Sequence, residues 1–332
     1  MLNLIEAEIG RVEIIRRLED LEARRPSVVT VGVFDGVHLG HQTIMHIVKA
    51  DAAEKNAGSV AITFDRLPED LINPAAATRL ITTLDQKLEL IAELGMDLCV
   101  VMPLDQELLD MPAECFVTDI LRDRLRALQL VVGTSFCFGK GRAGNVSLLR
   151  QMGPQMGFEV VGVSPIKLDG ALVSSSVIRR LIAEGNIDRA NEMLGHPFAI
   201  QGKVVPGDGI GQTLGFPTAN IEPLDRQVIP PKGVYAVTVK LDGASWIGAM
   251  NIGIRPTVDG RENLAEVYIV GFSGNIYGRE LRVVFHHRLR DELRFRDVDA
   301  LKRQIQADVQ RIVEMLSQHS TDIDTKAAGV VD

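Results

Sequence analysis

Residues 27–42 read SVVTVGVFDGVHLGHQ. The stretch begins as a strand, because Val28, Val29, Val31 and Val33 form a β-branched apolar run. It ends as something else: Asp35, Gly36, His38, Gly40 and His41 follow in quick succession, and a helix is predicted from about His41 to Lys55. Working outward, the same alternation recurs. SVAITF, DLCVVMPL, LQLVVG and FEVVGVSPI read as further strands, separated by helices predicted near Leu84 to Leu94 and near Ala113 to Leu125. Strands separated by helices of this length imply βαβ crossovers and a parallel sheet, an architecture of the nucleotide-binding type.

After SSSVIRRLIAEGNIDRANEMLGHPFAI the grammar changes. From Gln201 onward apolar and polar residues alternate, with Asp242-Gly243 and Ser273-Gly274-Asn275 placed where hairpin turns belong. This half is expected to be an antiparallel barrel or sandwich. A last helix, in DVDALKRQIQADVQRIVEMLSQ, carries Leu301, Ile305, Val309, Ile312 and Leu316 at helical spacing and would lie across it. A chain of 332 residues is long for one core, no internal repeat is visible, and the two halves differ in class. We therefore expect two domains, residues 1–187 and 188–316, and a polar tail from residue 317 that is expected to be disordered.

Composition narrows the function. Lys plus Arg number 36 against 44 for Asp plus Glu, a net charge of -8 that argues against a dedicated nucleic-acid binder with a broad basic face. A small anionic ligand remains compatible with it. Cys99, Cys115 and Cys137 are far apart and lack the C-x-x-C spacing of a zinc site or redox pair, so they read as buried thiols in a reducing compartment. The acid-bearing N-terminus has no signal-peptide core, and no apolar run is long enough to span a bilayer, so a cytoplasmic protein without membrane contact is expected.

Four constellations can carry chemistry. Asp35-Gly36 lets the chain turn off the strand end, and Gly40 allows close approach where the helix begins, so an anion there meets unpaired helix amides and the positive end of the dipole. His38 and His41 can add donors to a phosphoryl oxygen, as in adenylyl transfer from ATP; two such histidines also bind metals or cap a helix. Ser174, Ser175 and Ser176 precede a helix bearing Arg179, a second anion-binding helix start or a serine-rich cap. In GDGIGQTLGFPTANI, residues 207–221, four glycines let a loop fold over phosphates, while Thr218 and Asn220 offer neutral oxygens to Mg²⁺; the alternative is a turn-rich connection. In LAEVYIVGF, period 2 puts Val267 and Ile269 on one face and Glu266 with Tyr268 on the other, so Glu266 faces either a cleft as a general base or water.

Taken together these residues resemble one family closely, the bifunctional riboflavin kinase and FMN adenylyltransferase, or FAD synthetase, of bacteria. The matching segments GVFDGVHLGHQ, FGKGRAG, SSSVIRRLI, LGFPTANI, GVYAV, NIGIRPT and IYGRELRVVFHHRLRDELRF run in order over nearly the whole chain. The resemblance implies an N-terminal nucleotidyltransferase-like α/β domain that moves AMP from ATP onto FMN, with His38 and His41 at the adenylyl group and Ser175, Ser176 and Arg179 on the ATP phosphates. Gly32, Phe34, Asp35, Gly36 and Gly40 are expected to complete that phosphate site. It implies a C-terminal six-stranded kinase barrel with a closing helix, which phosphorylates riboflavin. There Gly207, Gly209, Gly211 and Gly215 lie in the ATP loop, Thr218 and Asn220 bind Mg-ATP, and Glu266 is the catalytic base. The resemblance implies ATP as co-substrate twice, Mg²⁺ in both steps, and FMN and FAD as product and substrate, and leaves protein partners open.

The chain departs from the family in places. Arg66 and Leu67 of FDRLP stand where Pro-His is usual, Ser135 of TSFCFG where Asp or Asn is usual, and Cys137 where Arg or Thr is common. In the kinase half the departure is Tyr268, where a histidine is common. Two other readings follow: a riboflavin kinase whose first domain has a weakened or altered adenylyl transfer, and a flavin-binding regulator without turnover.

Overall fold

The structure is a computed structural model and describes residues 12–17, 20–21, 25–73, 77–207, 209–224, 226–257 and 260–317. The chain forms two compact units, one comprising residues up to Thr78 with Leu84–Ser175, the other Arg79–Thr83 with the chain from Ser176 onward.

The first unit is built on a six-stranded parallel sheet: β1 (Glu13–Ile15), β2 (Ser27–Val31), β3 (Gly58–Phe64), β4 (Leu98–Met102), β5 (Ala127–Gly133) and β6 (Glu159–Val163), in the order β1-β4-β3-β2-β5-β6. All five residues of β2 and of β4 are buried, as expected for strands covered on both faces. Period 2 divides their side chains between two cores. Val29, Val31, Val60 and Ile62 pack with Phe116, Ile120 and Leu149 on one face. Val28, Ala61, Cys99 and Val101 pack on the other with α1 (Leu39–Glu54), through Met45 and Val48, and α2 (Leu84–Glu93), through Leu88 and Ile91. Met45, Ile62 and Ile91 have no exposed surface, and each such burial contributes about 1.5–3 kcal/mol.

The predicted strands and α1 are found close to their expected bounds, with two differences. The short edge strand β1, pairing parallel to β4, has too few apolar residues to register as a strand in a sequence window. The helix expected from Ala113 to Leu125 is α-helical only over Ala113–Cys115 and continues as a π-helix over Phe116–Arg124. The cysteines are free, but the expectation of three buried thiols is corrected: Cys99 is buried in β4, Cys115 is half-buried and Cys137 is exposed. Cys137 lies outside the main sheet in a two-stranded hairpin with Gly144–Asn145, where Phe138 takes the apolar contact with Phe116 and leaves its neighbour to water.

In the second unit six antiparallel strands close into a barrel: β7 (Phe198–Val205), β8 (Thr218–Pro223), β9 (Gly233–Leu241), β10 (Ala244–Thr257), β11 (Gly260–Ile269) and β12 (Glu280–Arg290), in the order β7-β8-β11-β10-β9-β12. The choice left between barrel and sandwich is thus a closed barrel. Asp242 and Gly243, with φ of 51° and 79°, form the two-residue turn between β9 and β10. Ser273–Asn275 is not a hairpin turn: it lies on the connection from β11 to β12, which are not neighbours in the barrel. Alternation and turn residues report where a strand ends, not which strand it pairs with next.

The C-terminal helix α3 (Val298–Ser317) buries Ile312 and Leu316 against Ala236 of β9 and Ile247 of β10. Arg290 at the end of β12 donates to both carboxylate oxygens of the buried Asp308, at 2.6 Å for the shortest contact. Residues 318–332, including nearly all of the predicted tail, lie outside the described residues. The second unit also contains a short insertion from early in the chain. Leu80 pairs with the backbone of Arg226 and Val228, and the buried Gln227 donates to the carbonyls of Ile81 and Ala199.

Candidate active sites

In the first unit the strand order reverses direction between β2 and β5, and ligands of open α/β sheets bind beyond the carboxyl ends of strands at such a point. The loop that leaves β2 there is buried and strained. Phe34 and Val37 have φ of 52° and 37°, a left-handed conformation that a β-branched residue such as Val37 rarely adopts, while Gly36 turns the chain at 81°. Phe34, Asp35, Val37 and His38 are all buried. Gly32 is needed because a Cβ there would lie 2.6 Å from the Phe34 ring.

His38 is the N-cap of α1, and its carbonyl accepts the amides of His41 at 2.7 Å and Gln42 at 3.0 Å. Its side chain makes no cap hydrogen bond and instead stacks on His41, with ring centroids 3.6 Å apart and planes at 18°. A Cβ on Gly40 would come within 3.2 Å of the His38 ring, so the glycine admits the stack. Phe34 also meets the His41 ring in an edge-to-face contact, with centroids 5.2 Å apart. Burial, His38 and Lys87 together hold His41 well below its usual value, so the stacked pair does not carry two charges. Nδ1 of His41 is sealed from solvent and has no hydrogen-bond partner.

The helix Ser175–Glu184 starts at the first of the expected phosphate residues, and Ser175 Oγ donates to the Asp35 carbonyl at 2.9 Å. Ser176 is exposed and Arg179 half-buried on the same helix. The departures from the family pattern are also placed. Arg66 pairs with Asp65 at 3.1 Å, Leu67 is buried, and Ser135 is exposed.

Sequence reasoning missed Lys87. It is buried, and its Nζ donates to the carbonyls of Phe64 at 2.7 Å and Val33 at 3.1 Å. A signal was present: Leu84, Lys87, Leu88 and Ile91 fall at helical spacing, so a lysine occupies the apolar stripe of α2.

In the second unit strand register assembles the site. Asn220 of β8 pairs with Glu266 of β11, Thr218 pairs with Tyr268, and Asn251 of β10 is the other partner of Glu266. Ala219, Ala265, Val267 and Ile269 are buried, so Thr218, Asn220, Glu266 and Tyr268 share the opposite face. The glycine loop lies against this face. A Cβ on Gly207 would sit 1.8 Å from Asn220, and one on Gly211 would sit 2.9 Å from Thr218 Oγ1. Gly209 and Gly215 have φ of 68° and 86° and flank the short helix Ile210–Leu214. Beside Thr218 opens a cavity of about 480 Å³ lined by Gln212, Pro217, Ile269, Phe272 and Tyr277. Phe272 and Tyr277 are aromatic residues that motif reading did not single out.

Among the described residues no three His, Cys, Asp or Glu side chains gather as a metal cage. Thr218 and Asn220, neutral oxygen donors under a glycine loop, fit an ion that keeps several waters and arrives on a phosphate, as Mg²⁺ does. Among the described residues no helix is long and apolar enough to cross a membrane.

Comparison with known proteins agrees with both units. Residues 20–177 match the FAD synthetase family and residues 194–316 the riboflavin kinase family. The chain is 38% identical over 300 residues to the bifunctional riboflavin kinase/FMN adenylyltransferase of Escherichia coli, covering 90% of this chain and 96% of that protein. It is 40% identical to the Pseudomonas fluorescens protein of the same description, with the same coverage. A crystal structure described as a macrolide-efflux protein from Streptococcus pneumoniae superposes with a TM-score of 0.82 at 29% identity, over 94% of this chain and all of that one. The two family matches cover the parallel-sheet unit and the barrel in turn, and relatives at 38–40% identity span nine-tenths of the chain, so the chain belongs to the bifunctional riboflavin kinase/FMN adenylyltransferase family.

Proposed function

We propose how the two activities of this family, which produce FMN and then FAD, are divided over this chain. The first unit carries adenylyl transfer. A phosphate oxygen of FMN attacks the α-phosphorus of ATP, the bond to the β-phosphate breaks, and pyrophosphate leaves. His38 and His41 face the charge that builds on the α-phosphate, the amides at the start of α1 lie beside them, and Ser175, which donates to the Asp35 carbonyl of the same loop, stands at the remaining phosphates. The observation that carries this reading is the His38–His41 stack at the N-cap of α1.

The second unit carries the kinase reaction. Glu266 accepts the proton of the ribityl 5'-hydroxyl as its oxygen attacks the γ-phosphorus and ADP leaves. Thr218 and Asn220 orient the nucleotide under the loop of Gly207, Gly209, Gly211 and Gly215, with the adenine in the cavity beside Phe272 and Tyr277. Mg²⁺ bound there with ATP would offset charge on the phosphates. Asn220 and Glu266 at one register position carry this reading. The functional division is placed at residues 187 and 188, in a cytoplasmic enzyme whose ligands are riboflavin, FMN and ATP.

The test is to incubate the full chain with riboflavin, ATP and Mg²⁺, then separately with FMN, ATP and Mg²⁺, and to separate the flavins over time. FMN formed from riboflavin, together with FAD formed from supplied FMN, supports both assignments. Riboflavin stopping at FMN, with supplied FMN unchanged, favours the reading as a riboflavin kinase whose first domain has a weakened or altered adenylyl transfer. In that reading a buried Leu67 and an Arg66 held by Asp65 have altered what the first unit accepts.

A further inference from the structure

We propose that Lys87 is a positioning residue for adenylyl transfer: its ammonium ties the carboxyl ends of β2 and β3 together and so holds the loop that presents His38 and His41. The proposal rests on reading those histidines as the groups at the α-phosphate. Lys87 is 7% exposed and donates to the Val33 and Phe64 carbonyls. Val33 immediately precedes Phe34, where the left-handed path of the loop begins, and its carbonyl also accepts Thr63 Oγ1 at 3.1 Å. Two donors from α2 and β3 thus converge on the residue that launches the strained turn.

A stability role alone does not account for a lysine here. A methionine of similar volume would fill the apolar stripe of α2 without the cost of burying an ammonium. Burial lowers Lys87 to about 8, while Asp35 on the loop, Asp65 after β3 and Cys99 on β4 act in the opposite direction. His41 on α1 feels the same positive charge and is held neutral partly by it. Lys87 therefore acts twice on one histidine, through the backbone that carries it and through its charge state.

The test uses the full chain with Lys87→Met, assayed for both reactions in one preparation. Adenylylation is expected to lose about 100-fold in kcat, the scale of a small misplacement of a reacting group. KM for ATP should change little and riboflavin phosphorylation should be unaffected. The acid limb of the adenylylation pH profile should move to higher pH, because His41 then protonates more readily, and ethylammonium should restore rate to Lys87→Ala. Wild-type kcat in Lys87→Met overturns the proposal. So does a loss with an unmoved acid limb and no rescue by amine, or failure of both variants to yield folded protein, since each assigns Lys87 to the fold alone. His41→Ala run in parallel separates the two ideas. If His41→Ala is slow and Lys87→Met is not, only the lysine proposal fails; if His41→Ala is fully active, the histidine reading fails first.

Discussion

In the first unit the histidines assigned to the α-phosphate are presented by one buried loop whose backbone is left-handed at Phe34, Gly36 and Val37. In the second the residues assigned to ATP sit two residues apart on β8 and opposite a partner on β11, so the regular pleat does the work that strain does in the first. The difference teaches where each site is vulnerable. A loop site depends on what props it up, here Lys87, Thr63 and Ser175. A register site tolerates changes beneath it as long as the pairing holds, and depends on the loop that covers it.

The sharpest way to break the comparison is to remove one chemical group from each unit. Glu266→Ala is expected to slow FMN formation by about 100- to 10,000-fold, the usual contribution of a general base, and to leave adenylylation of supplied FMN intact. His38→Ala should do the reverse by about 100- to 1,000-fold. Equal loss of both reactions in either variant would show that the two sites are not separate.

Next in size is a stability effect confined to the barrel. Asp308→Ala leaves Arg290 without its carboxylate at a buried position, a change worth about 3–5 kcal/mol. Heat inactivation of the kinase reaction should shift downward by on the order of 10 °C. Adenylylation lost at the same lowered temperature would sink the idea that the Arg290–Asp308 pair serves only the second unit.

Gln227→Ala tests the inserted segment more gently. It removes donors to Ile81 and Ala199 and an acceptor for the Gln201 amide, at a cost of about 1–3 kcal/mol. Kinase heat stability should fall by a smaller step than in Asp308→Ala. A kinase expressed from residue 188 onward, which lacks the segment, should show a comparable loss; full stability there would assign the segment no role.

The smallest effect is a pH slope. His41 stays neutral in the folded first unit well below the usual 6.5 of histidine. Below that pH the unfolded chain takes up a proton that the folded unit refuses, so stability falls as pH falls. Urea denaturation of the wild type should show this slope below about pH 6.5. His41→Gln should flatten it, and an unchanged slope would place the titration elsewhere.

Much of this molecule could be read from local pattern. The alternation of valine-rich strands with helices, the switch to period 2 after Gln201, and the order of GVFDGVHLGHQ, SSSVIRR, PTAN and the Glu266 strand all lie within windows of a dozen residues. Periodicity and turn chemistry act at that range, so class, domain order and candidate chemistry followed from the chain alone. Even Glu266 was reduced to one of two faces before any contact was known.

What remained was decided by pairings distant in sequence. Closure of the barrel joins β7 to β12, pairing Phe198 with Phe285 across 87 positions and Gly202 with Leu281 across 79, and no local pattern states that energy. The same holds for Arg79–Thr83 joining the second unit, for Asp308 meeting Arg290, and for Lys87 reaching Val33 across 54 positions. Each is settled by which buried donor, acceptor or charge must find a partner once the core has closed. A side chain on an apolar stripe looks like an error in sequence, and only the folded molecule shows the two carbonyls that make it necessary.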